Sequence, residues 1–150
     1  MNNVRNQVFE LLVASLKTIK KSAGYNFDVK TVERIHQTLE SMDSTKLPAI
    51  FVLDTGIETP ETFDAHSPRP GHNLEIPCVL YFKGSQNNLV ESEFSKFISD
   101  LSKWAYSNPS FSPHADNFAL VSFETILSEP PDKIGIMIVK LTYWFDRSNP

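Results

Sequence analysis

The chain has 150 residues, which suits one domain, and a compact fold of that size removes roughly 70% of the unfolded surface from water. An apolar fraction of 41% and a charged fraction of 21% exclude wholesale disorder. Lysine and arginine total 14 against 18 aspartates and glutamates, a net charge of -4. That balance argues against a dedicated nucleic-acid binder, which needs clustered positive charge, though not against a protein that surrounds nucleic acid without gripping it.

Cys78 is the single cysteine, so an intrachain disulfide framework and a cysteine-rich zinc site are excluded, and a cytosolic product is expected. The first 20 residues do not read as a signal peptide: Glu10 interrupts the apolar stretch and Lys17, Lys20 and Lys21 follow it. The longest apolar runs, Ala49 to Leu53 and Ile134 to Val139, are far shorter than the roughly 20 residues that span a bilayer.

In chain order, Val4, Val8, Leu11, Leu12, Leu16 and Ile19 recur at helical spacing and predict a helix over about Val4 to Lys21. Asn2 or Asn3 caps its start, Lys20 and Lys21 suit its negative end, and Gly24 stops it. Residues 28–42 are ambiguous. Val29, Val32, Ile35, Leu39 and Met42 line one helical face, whereas the β-branched Val29, Thr31, Val32 and Ile35 favour a strand. Periodicity leans towards the helix. Leu47 to Asp54 is an apolar run of strand length. A linker rich in turn formers follows from about Gly56 to Asn73, longer than most connections in a compact domain. From Leu74, strict alternation places Leu74, Ile76, Cys78, Leu80 and Phe82 on one face of a strand, with Pro77 pointing to an edge or a bulge.

Val90, Phe94, Phe97, Ile98, Leu101, Trp104 and Ala105 define the clearest helix, with Asn88 and Glu91 spaced as a capping box. Strands follow at about Phe118 to Leu127 and at Ile134 to Phe145, joined by a turn from Glu129 to Lys133. Both faces of the last strand are largely apolar, so it is central or covered on a second side. This order predicts a single α+β domain over 1–150: a mainly antiparallel sheet of about four to five strands with two main helices packed on one face.

No catalytic constellation emerges. There is no phosphate loop, no nucleophile elbow and no zincin motif, and no cofactor is implied. His66 and His72 share the linker with Glu58, Glu61 and Asp64, but at a spacing that is not specific to metal sites. His36 would have Glu33 and Glu40 at helical spacing, and His114 has Asp116 nearby; both pairs read as solvated contacts. Cys78 reads as a buried thiol rather than a nucleophile. Asp54 and Glu58 form a carboxylate pair that a strand end followed by a polar turn explains equally well. Among the 11 phenylalanines, Phe63 and Phe111 fall in loops and are the candidates for a partner contact.

Four stretches together carry a resemblance. Ser22 to Tyr25 ends the N-terminal helix, Val29 to Arg34 follows, then Leu47 to Val52 ending near Gly56 and Glu58. Last comes an Arg69-containing loop that feeds a strand, a helix and two closing strands. In this order the chain resembles the tail terminator, or tail completion, proteins of tailed bacteriophages, the group of the lambda-type minor tail protein U. The resemblance spans nearly the whole chain. It implies a small α+β subunit, without catalytic residues, that assembles as a hexameric ring on the tail tube. Such a ring stops tube polymerisation and offers the head-tail joining surface. It implies a strand near residues 28–36, against the periodicity.

The expected partners are copies of the chain, the tail tube protein and a head-completion or neck protein, with DNA passing through unbound and no membrane contact. The expected location is the tail or neck of a virion made in a bacterial cytoplasm. The physical reading adds a candidate interface on the long loop: Glu58, Glu61 and Asp64 to repel phosphates or meet a neighbour, with Phe63 and Arg69 as anchors. Deleting Glu58 to His72 is then expected to leave the subunit folded and to impair assembly. The alternatives are another neck or baseplate adaptor, or a small ligand-binding domain or enzyme using the cleft near the loop with Cys78 or His66.

Overall fold

The structure is a computed structural model that describes residues 3–60 and 71–144. Helix α1 spans Val4–Leu16, and Asn3 caps it as expected, its side-chain oxygen accepting from the Asn6 N–H at 2.8 Å. Val8, Phe9, Leu12 and Leu16 are buried along its inner face. The helix stops short of the expected Lys21. The Thr18 hydroxyl donates to the Ser15 carbonyl at 2.6 Å, and Lys20 is already extended. Ile19 is still fully buried, so the apolar position is kept although the helix is not. Lys20 therefore does not sit at the end of α1; its ammonium donates to the Val29 carbonyl at 2.9 Å. Gly24 takes a φ of 95° after a 3-10 turn at Lys21–Ala23, a conformation that a side chain would strain.

Residues 28–42 do not form the helix that periodicity favours. Thr31–Glu33 is a strand, β1, parallel to β2 at Ala49–Val52, with Val32 opposite Ile50. Two 3-10 turns, Leu39–Ser41 and Ser44–Lys46, complete the crossover. The reason is tertiary. As a strand the segment buries Val29 and Val32 and leaves Ile35 76% exposed, whereas one helical face would have to bury all three. His36 accordingly has no helical partners; its Nε2 lies 2.7 Å from the Tyr81 hydroxyl.

The segment read as a linker from Gly56 to Asn73 also contains structure. Glu58–Pro60 forms β3, paired antiparallel with β4, which runs Gly71–Lys83 and so starts before Leu74. Helix α2 is Val90–Tyr106, and strands β5 (Ala115–Glu129) and β6 (Asp132–Trp144) form the closing hairpin. The six-stranded sheet has the order β1-β2-β4-β6-β5, with β3 beside the first half of β4. Among the described residues, only β1 and β2 pair in parallel. The α+β class and the mainly antiparallel sheet are as expected, with the short β1 and β3 raising the strand number. Pro77 lies on a central strand, at the seam where β2 ends and β3 has not begun. Its carbonyl accepts from Leu53, and the bond its missing N–H would make falls where the partner strand breaks.

Both helices cover one face of the sheet. Leu74, Ile76, Cys78, Leu80 and Phe82 of β4 join Met137, Val139 and Leu141 of β6 beneath them. Phe97 stacks on Phe82 at 5.4 Å between ring centres, and the Trp104 indole donates to the Ser15 hydroxyl at 2.9 Å, tying α2 to α1. Asp100, only 2% exposed, accepts from the backbone N–H groups of Asn26 and Phe27 at 2.8 and 2.9 Å and from the Asn26 amide. That carboxylate fastens α2 to the turn leading into β1. On the opposite face, Met42, Ala49, Phe51, Val79 and Tyr81 form a second, smaller apolar cluster. Strand β6 is central, between β4 and β5, and on its second face Ile134 packs against this cluster while Ile136 and Ile138 are half-buried.

Two local expectations are corrected. Asn88 does not cap α2; Leu89 holds that position without a side-chain bond. Glu91 instead reaches the hairpin, meeting Lys133 Nζ at 2.5 Å and the Ser128 hydroxyl at 3.1 Å, because an ammonium only 6% exposed needs a counter-charge. Phe111 is not a surface anchor. It is 2% exposed, its ring centre 5.3 Å from that of Phe118, since the turn after α2 folds back under the start of β5. Among the described residues no helix is long and apolar enough to cross a membrane.

Candidate functional site

Glu58 opens β3, opposite Leu74, and its carboxylate gathers groups from three other segments, α1, β4 and β6. Arg5, from the first turn of α1, donates through Nε to Glu58 Oε1 at 2.8 Å. The other end of that guanidinium holds Asp54 Oδ1 at 2.5 Å, so Arg5 bridges the two carboxylates singled out in the sequence. Arg34 approaches Asp54 from the far side at 3.4 Å. Both guanidinium groups lie over the Phe9 ring, 5.0 and 4.7 Å from its centre. Glu58 Oε2 meets His72 Nδ1 at 2.6 Å and accepts a very short bond from the Tyr143 hydroxyl. His72 and Tyr143 are directly opposed on β4 and β6, which brings their polar ends to one point.

The electrostatics follow from this crowding. Burial alone would push the Glu58 carboxyl up, but the bonds from Tyr143, His72 and Arg5 outweigh it and hold the group at about 2. Burial, followed by the bond to Glu58, pushes the Tyr143 hydroxyl well above its ordinary range. The bond to Asp54 raises Arg5 further against the opposing effect of burial. A carboxylate with both oxygens occupied and a pKa near 2 is a poor proton acceptor at neutral pH. The cluster acts as a clasp: it fixes the base of the β3–β4 hairpin, where Pro60 faces His72, to α1 and β6.

Of the residues proposed for an interface, Glu58 is the one the structure describes, and it points into this clasp rather than outward. Glu61, Phe63, Asp64 and Arg69 lie outside the described residues, as does His66. Deleting Glu58 to His72 would therefore remove β3 and two members of the clasp, so a test of the loop must be confined to 61–70. Arg5 and Tyr143 were missed by sequence reasoning. Neither has a spacing that marks it, because the clasp is assembled by strand register and not by chain proximity.

Cys78 is fully buried, and desolvation pushes its thiol to about 12. His114 and Asp116 are not paired; Asp116 accepts from the Trp144 indole at 3.3 Å, and the His114 carbonyl from the Trp144 backbone. Among the described residues no three His, Cys, Asp or Glu side chains gather as a metal site. Two of the surface hollows adjoin the elements just described. One, about 450 Å³, lies beside β3 and is lined by Thr59, Asn73, Glu75, Lys140 and Thr142 among others. The other, about 510 Å³, lies between α1 and the chain leaving β1. No protein-family model matches this chain, and no curated protein matches it.

Proposed function

We propose that the chain is a structural virion protein: a ring-forming tail terminator that caps the phage tail tube, stops its polymerisation and provides the head-tail joining surface. The observation that carries this reading is the succession α1, β1, β2, β4, α2, β5, β6, with the short β3 inserted between β2 and β4. It is the succession that the resemblance implies, and it includes a strand at 31–33 where local periodicity points to a helix. The clasp supports the reading in a second way. It anchors to the core the base of the hairpin whose connecting segment carries the candidate contact residues Glu61, Phe63, Asp64 and Arg69.

In this role the partners are copies of the same chain in a hexameric ring, the tail tube protein and a neck or head-completion protein. DNA passes through without specific binding, which the net charge of -4 favours. The protein works in the tail or neck of the virion after synthesis in the host cytoplasm. The test is polymerisation of purified tail tube protein with and without this chain, read by negative-stain microscopy. Tubes of arrested length with a ring at one end are expected. Tubes that elongate unchanged, with bare ends, would overturn the proposal.

A further inference from the structure

The sheet ends in two edges of opposite character. At one edge, β5 carries Asp116, Glu124 and Glu129 and no lysine or arginine over its whole length. Its register against β6 slips between Leu120 and Ser122 and again between Thr125 and Leu127. Val121 and Ile126 are the extra residues at those slips. A bulged residue loses its cross-strand partner and is aimed afresh. These two are 45% and 53% exposed, large apolar side chains held out from an acidic strand. At about 3.3 Å of rise per residue they stand roughly 16 Å apart, with Glu124 between them.

At the other edge, the 510 Å³ hollow between α1 and the end of β1 is lined by Val13, Ala14 and Ile35, with Lys17, Arg34, Glu10 and Glu33 completing it. Ile35 is 76% exposed. Lys17 enters none of the ion pairs found among the described residues. The chain between α1 and β1 adds Lys20, Lys21 and Lys30 against Asp28 alone, so this edge is basic where β5 is acidic.

We infer that successive copies dock head to tail, the bulged stretch Val121 to Ile126 of one copy seating in the α1–β1 groove of the next. The inference rests on the ring reading and names its subunit contact. Apolar surface meets apolar surface, while Glu124 and Glu129 face Lys17 and the lysines beyond it, which sets the orientation and speeds encounter. Because β1 and β5 are opposite ends of one sheet, each contact leaves a free edge for another copy. Closed cyclic assemblies are built from such heterologous contacts.

The experiment uses the full chain, with native mass spectrometry, sedimentation and imaging in the presence of tail tubes. Ile126→Lys on one flank and Ala14→Glu on the other, both at exposed positions, should each weaken self-association at least about a hundredfold by burying an unpaired or like charge. The thermal midpoint of each variant should match that of the wild type. Cysteine cross-linking gives the geometry, the native Cys78 being buried. Under oxidation, the double variant Ile35→Cys with Ile126→Cys should yield a ladder of covalent oligomers, and each single variant none. If the wild type forms rings while both charge variants keep them, or if a single cysteine variant gives a dimer, the edge assignment is overturned and the ring reading stands. If the wild type forms no rings even with tubes, the ring reading fails and takes this contact with it.

Discussion

Replacing Glu58 by glutamine keeps the shape of the clasp and removes its charge. In the folded protein the carboxyl titrates at about 2 instead of 4.5. At about 1.36 kcal/mol per pKa unit, that difference corresponds to about 3 kcal/mol favouring the folded state. The side chain is 25% exposed, and solvent screening reduces the figure to about 1.5–2 kcal/mol. Because the folded pKa is depressed, the stabilisation is fully present above pH 4.5 and fades as the pH falls towards 2. Glu58→Gln should therefore lower the melting midpoint by about 4–8 °C at neutral pH for a domain of this size. Its deficit against the wild type should shrink steadily in urea titrations run from pH 5 down to about pH 2. A variant as stable as the wild type at pH 7, or a deficit unchanged between pH 7 and pH 3, would refute the account of the clasp.

Other expectations follow from single contacts. Asp100→Ala leaves the Asn26 and Phe27 N–H groups without their buried acceptor; a loss of about 2–4 kcal/mol in denaturant unfolding is expected, and a loss under about 0.5 would contradict it. Gly56→Ala would place a Cβ 1.6 Å from the Glu75 carbonyl oxygen. The backbone must move and break the Glu75–Ile57 hydrogen bond, so a loss of at least about 2 kcal/mol should appear in the same assay. The Cys78 thiol, pushed to about 12 by burial, should resist an aromatic disulfide reagent at neutral pH and react only once urea unfolds the chain. Rapid reaction of the native protein would show that β4 opens far more readily than its packing implies.

The parts legible in the sequence are those whose pattern is local. Helix α2 shows the helical period from Val90 to Ala105, and β4 alternates from Leu74 to Phe82, so their types and inward faces could be read without partners. Strand β1 could not be read this way. Its three residues gain their conformation from pairing with Ala49 to Phe51, while Ile35 and Leu39, at helical spacing from Val32, added a misleading period. Strand β3 was hidden in the same manner, since Glu58 and Pro60 have little strand propensity, Thr59 alone favours a strand, and all three are held by β4. Phe111 was misplaced because turn residues surround it in sequence, whereas Phe118 and the end of α2 surround it in space. The clasp was half legible. Asp54, Glu58 and His72 drew notice as polar residues near one another in the chain; Arg5 and Tyr143 reach them only through the docking of α1 and the β4–β6 register.

The slips along β5 bear on how an assembly of this protein would end. An edge strand with free backbone N–H and C=O groups is a template on which further strands can zip without limit. Strand β5 departs from regular pairing at three places, after Asp116, Leu120 and Thr125, and Asn117 sits at a φ of 56°. No long straight run of evenly spaced donors and acceptors is left for a stranger's strand to copy. In the proposed ring, adhesion at this edge would be handed from the backbone, which is indifferent to sequence, to a few side chains with one complementary seat. A ring-forming subunit would gain from that division, because growth would finish when the circle closes instead of running on as a fibre.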